Sequence, residues 1–99
     1  MDKQYMAMGT VTVPDPAAAQ DITCGFAPRY VRAINVNNLT SYEHFDGMTD
    51  GTSIDMGNHD TTQVSVNAAG SITLTANGFT LGTDICDTAE DVVRWVAFR

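Results

Sequence analysis

Positive charge is scarce in this chain: five Lys and Arg stand against 12 Asp and Glu, for a formal net charge of −7. A surface of that sign repels the phosphate backbone of nucleic acid and anionic lipid, so neither is expected as a partner. The same charge keeps the protein soluble at high concentration. Cysteine is limited to Cys24 and Cys86. Two cysteines make no disulfide framework, and in a reducing cytoplasm they are expected as buried free thiols. Long apolar runs are missing too. Nothing approaches a membrane span, and Met1-Asp2-Lys3 leads into no apolar core of a secretory leader. Without secretion the Asn38-Leu39-Thr40 sequon carries no weight.

Chemical signatures are equally thin. Asp46, Asp50, Asp55 and Asp60, with His59, crowd one stretch, but the calcium-loop spacing is absent and Asp-Gly pairs are ordinary turn chemistry. His44, His59 and the two cysteines lack the spacing of a zinc site. Ser41 or Ser53 with either histidine and an aspartate makes a triad only on paper, since no nucleophile elbow supports it. Glu43 and Glu90, the only glutamates, have no local context of paired glycosidase carboxylates. No glycine-rich phosphate loop precedes a helix. The expectation is a non-enzyme without metal or cofactor.

What the chain does have is β patterning. Hydrophobic residues make up 43% of the 99 positions, enough for one modest core and one domain. Ser71 to Thr83 reads as a hairpin about Asn77-Gly78, pairing Ala76 with Phe79, Leu74 with Leu81 and Ile72 with Thr83. Ile72, Leu74, Phe79 and Leu81 then share a face that Thr73, Thr75 and Thr80 avoid. Val11 and Val13 alternate before Pro14-Asp15-Pro16, and Ala17 to Gln20 has room for one helical turn. Ile22–Phe26, Ser41–Phe45 and Thr61–Val66 read as short strands, the last with Val64 and Val66 inward, and Ile54 with Met56 as a small β bridge. Asp84 to Asp91 reads as an acidic connector.

Two strands are apolar on both faces. In Arg29 to Val36, Val31 and Ala33 oppose Tyr30, Ile34, Val36 and Arg32; in Val92 to Phe98, Val93, Trp95 and Ala97 oppose Val92, Val96, Phe98 and Arg94. Such strands lie inside a sheet, or meet a partner on their second face. The fold expected is all-β, a small antiparallel sandwich or barrel of about eight short strands, jelly-roll or immunoglobulin-like. Residues 1–13 form an N-terminal arm or an edge strand. Candidate partner-contact residues are Tyr5, Met6 and Met8 in that segment, with Tyr42, Phe45 and Met48 around the first Asp-Gly loop.

Several segments carry a resemblance. Cys24-Gly25-Phe26-Ala27-Pro28-Arg29-Tyr30-Val31-Arg32, Asn35, Gly47-Met48, Gly70-Ser71-Ile72-Thr73-Leu74, Gly78-Phe79-Thr80-Leu81-Gly82-Thr83-Asp84 and Trp95-Val96-Ala97-Phe98-Arg99 resemble, in order, small virion proteins of tailed bacteriophages and prophages. Gly25-Phe26-Ala27-Pro28-Arg29-Tyr30-Val31 is also similar to a motif of phage tail-fibre modules. A stand-alone acidic β domain of this length looks most like a head decoration, or cement, protein. That resemblance implies a virion location after synthesis in the host cytoplasm. It also implies the major capsid protein and further copies of the chain, as a homotrimer, for partners, and no catalytic residues. Two alternatives stay open. One is a receptor- or glycan-binding tip using Tyr42, Phe45, His59 and the loop aspartates; the other is a tail or neck connector.

Overall fold

The computed structural model describes residues 5–57 and 64–99. These form eight strands: β1 Met6–Thr12, β2 Gln20–Thr23, β3 Tyr30–Asn35, β4 Thr40–Phe45, β5 Thr52–Met56, β6 Val64–Leu74, β7 Gly78–Leu81 and β8 Val92–Phe98. All pairings are antiparallel, within one sheet of order β1-β8-β3-β4-β5-β6-β7-β2. The class is all-β, as the patterning predicts. Of the two arrangements expected, the strands follow the barrel-like one: a single sheet curled into a half-barrel.

The curl is read from one contact. Phe79 on β7 meets Trp95 on β8 edge to face, with ring centroids 5.2 Å apart. In sheet order those strands are seventh and second, so the concave face must fold over for the rings to touch. Val31, Ala33, Val93 and Ala97 line that face with Ile72, Leu81 and Tyr42, all buried. Small residues stand opposite large ones: the register runs Gly9, Trp95, Ala33, Tyr42 across four strands. The indole of Trp95 occupies the space a side chain at position 9 would need.

Both wings depend on a local break in regularity. Between β5 and β6 the register jumps from Ser53 opposite Asn67 to Thr52 opposite Ile72, so residues 68–71 bulge out of the ladder. Gly70 supplies the φ of +73° at the bend. Ser71 donates to Ser53 and Ser53 to Asp55, which ties the two strands together across the jump. Beyond the bulge, β6 leaves β5 and pairs with β7. One long strand thereby serves both halves of the sheet.

Several expectations need correction. The hairpin pairs Leu74 with Phe79 and Ile72 with Leu81, and Thr75 N–H donates to the Gly78 carbonyl, so Ala76-Asn77 is the turn. Gly78 sits in β7, beside β2 in the ladder and so close to it that a Cβ would lie 1.9 Å from the Ile22 carbonyl oxygen. Close approach, not a left-handed turn, demands glycine there. Val66 points outward and is 71% exposed. The segment after Pro16 forms no helical turn. The Asp84–Asp91 connector carries Ile85 and Cys86 into the core, both fully buried. It is held by Asn35, whose buried amide donates to the Ile85 carbonyl and to Asp91. Residues 6–12 are an edge strand paired with β8 throughout, not a free arm.

Candidate docking face

The pleat sends alternate residues of each strand to the convex side. Following the register from strand to strand, one row runs Met8, Val96, Arg32, Glu43, Ile54, Val66 across six strands. The row on one side of it is Met6, Phe98, Tyr30, Phe45. On the other side Thr10, Arg94, Ile34, Ser41 and Met56 follow. The outer face of the sheet therefore carries many apolar side chains, with Arg32, Arg94, Glu43, Thr10 and Ser41 set among them. Val66, Met8 (66% exposed) and Phe45 (46%) stand in solvent. Scattered exposed hydrophobics need no explanation, but their gathering on one face does.

Three rings give the face a fixed end. Tyr30 lies between Phe45 and Phe98, at centroid distances of 5.0 and 5.9 Å. Its hydroxyl donates to Glu43 at 2.5 Å. Desolvation first, then the bond to Glu43 and its negative charge, push the Tyr30 pKa up to about 12. The phenol is thus locked as a donor, and Glu43 is engaged within the face.

Between β1 and β3, over β8, lies an open depression of about 290 Å3 lined by Met8, Thr10, Arg32, Ile34, Arg94 and Val96. Its walls are apolar apart from the Thr10 hydroxyl and two guanidinium groups. Arg32 stands opposite Val96 and Arg94 opposite Ile34, so the arginines are diagonal neighbours on adjacent strands. Among the described residues the one ion pair joins Arg29 and Asp46, away from this depression.

The residues singled out from sequence separate accordingly. Met6, Met8 and Phe45 share the outer face, and Met48 accepts the Phe45 N–H through its sulfur at 3.2 Å. Tyr5 is exposed at the edge, its carbonyl taking the Arg99 N–H. Tyr42 is different: it is buried on the concave face, its hydroxyl directed at the Asp84 carbonyl. That removes it from any contact surface, because the strand's alternation puts residues 41, 43 and 45 outward instead. His59 and Asp60 lie outside the described residues.

Among the described residues, His44 and Ser53 of the paper triad have other partners. His44 is buried with Nδ1 2.7 Å from the Thr52 carbonyl, while the Ser53 hydroxyl is spent on Asp55. Among the described residues no three His, Cys, Asp or Glu are grouped to hold a metal. Cys24 and Cys86 are both free and buried. Sequence reasoning passed over Ile54, Met56 and Val66 as contact residues, and over both arginines. The signal was present in β3 and β8, whose second faces are nearly as apolar as their core faces. No family model, curated protein or solved structure matches this chain.

Proposed function

We propose that this chain is a virion structural protein of a tailed bacteriophage or prophage. In this reading it is a head decoration, or cement, protein that docks the convex face of its sheet between capsomers. The observation that carries the reading is the gathering of Met8, Val96, Ile34, Ile54, Met56 and Val66 with the Tyr30–Phe45–Phe98 cluster on one outer face, interrupted by Arg32 and Glu43. Covering such a face contributes about 25 cal/mol per Å2 of apolar area, so attachment needs no reacting group. Acidic residues elsewhere keep many copies soluble before assembly. The resemblance to small phage virion proteins supplies the setting, and a homotrimer adds avidity to weak individual contacts. Attachment runs through the side chains of β1, β8 and β3 rather than through a loose N-terminal arm.

Two measurements test this. In cryo-electron microscopy of the particle whose genome encodes the chain, its half-barrel occupies density on the head with the convex face inward. In co-sedimentation with expanded capsids, a Phe45→Asp/Val66→Asp variant stays in the supernatant while the unaltered chain pellets. Equal pelleting of the two, or density only on the tail or neck, refutes the reading.

A further inference from the structure

We propose that the depression over β8 takes a carboxylate-bearing peptide segment of the partner protein. Arg32 and Arg94 hold one Asp or Glu carboxylate between them, and Met8, Ile34 and Val96 receive an apolar side chain beside it. This rests on the convex face being the docking face, and it names the chemistry of what sits there.

The first argument is charge placement. The chain has only five basic side chains, yet two stand together in one depression on a protein of net charge −7. Diagonal positions on adjacent strands are about 7–8 Å apart, a spacing from which two long guanidinium side chains can both reach one carboxylate. The obvious intramolecular candidate is Glu43, directly opposite Arg32, but its carboxylate takes the Tyr30 hydroxyl. Among the described residues neither arginine forms an ion pair.

The second argument is shape and kind of donor. Guanidinium forks match a planar carboxylate with paired N–H groups, and the Thr10 hydroxyl adds a donor on the same side. The rest of the lining is aliphatic, which suits the neighbours of that carboxylate in a peptide. A nucleic acid strand is disfavoured, because the net charge of −7 repels a run of phosphates. A second copy bound face to face about a two-fold axis is disfavoured too, because it sets arginines against arginines.

The test begins with random dodecapeptides displayed on filaments, selected on the unaltered chain and counter-selected on Arg32→Gln/Arg94→Gln. Enriched peptides are expected to carry Asp or Glu flanked by Leu, Ile, Val or Phe. In a synthetic copy, replacing that residue by its amide weakens binding roughly tenfold, and each Arg→Gln change does the same. Arg→Lys recovers only part of the loss, since it keeps the charge but not the fork. Both arginines are exposed, so the urea midpoint stays unchanged and certifies the fold. Failure to enrich, enrichment of neutral or basic peptides, or concentration-dependent dimers abolished in the double variant each overturn the proposal. Capsid binding lost in Phe45→Asp/Val66→Asp but kept in the arginine variant overturns this inference alone. Binding kept in both overturns the docking face itself.

Discussion

Replacing Gly78 by alanine tests the register of the sheet more sharply than any core truncation. The added methyl group would sit 1.9 Å from the Ile22 carbonyl oxygen and 3.0 Å from the Thr23 Cα. Carbon and oxygen tolerate about 3.3 Å in sheets, so β2 must retreat by more than an ångström. That breaks ladder hydrogen bonds between β2 and β7, each worth about 1 kcal/mol. It also loosens Phe26, which the end of β2 delivers to the core and whose burial is worth about 2 kcal/mol. Against this, alanine restricts the unfolded chain and returns about 0.4–1 kcal/mol. The net loss is about 3 kcal/mol. In urea, with a slope of about 1 kcal/mol/M for a chain of this size, the midpoint falls by about 3 M. Trp95 is the sole tryptophan and lies against Phe79, so its emission reports the transition. Were Gly78 in a left-handed turn position, as the Asn-Gly pattern suggests, alanine would cost only about 1 kcal/mol. A midpoint that falls by only about 1 M, stays unchanged or rises therefore refutes the close approach of β2 to β7 at Gly78.

Phe79→Ala should cost about 3–5 kcal/mol, and a double-mutant cycle with Trp95→Leu should return about 1 kcal/mol of coupling for the ring pair, measured by the same titration. Burial holds the Asp55 pKa above its ordinary 3.8, the bonds from Ser53 and Asn67 notwithstanding. The folded chain thus binds that proton more tightly than the unfolded one. Its contribution to stability is complete below the unfolded pKa and is lost as pH rises through the folded value. Asp55→Asn, which keeps an acceptor for Ser53, should raise the melting temperature at pH 7 and confer no gain below about pH 3.8. Burial, aided by Asp87, pushes the Cys86 thiol up to about 11. Cys86 should therefore resist Ellman's reagent at pH 8 until urea unfolds the chain, and rapid labelling of the native state would contradict its burial.

Face assignment was legible in the residues; register was not. In the hairpin, the expected partner of Leu74 was Leu81 and the observed one is Phe79. Those partners differ by two positions, so every side chain keeps its face, and the apolar pattern cannot tell the alternatives apart. What decides is the pairing of β2 with β7, a contact between distant segments. Val66 failed for a related reason. The bulge at residues 68–71 breaks the alternation, so the phase on one side of it says nothing about the other. Ile85 and Cys86 were hidden among aspartates because a core plug in a loop has no period to betray it. The apolar outer face was half legible: β3 and β8 displayed it, whereas the contributions of β5 and β6 required the observed pairing.

β8 is the last strand in the chain, yet it lies between β1 and β3, the first and third. A ribosome must therefore make the segment up to Phe98 before β1 can find its one partner or β3, already paired with β4, can fill its second side. Until then the nascent polypeptide carries two unzipped flanks, Met6–Thr12 and Tyr30–Asn35, in a crowded cell. Closure is a late, long-range event, so timing and chaperone access during translation bear on yield more than the eventual equilibrium does.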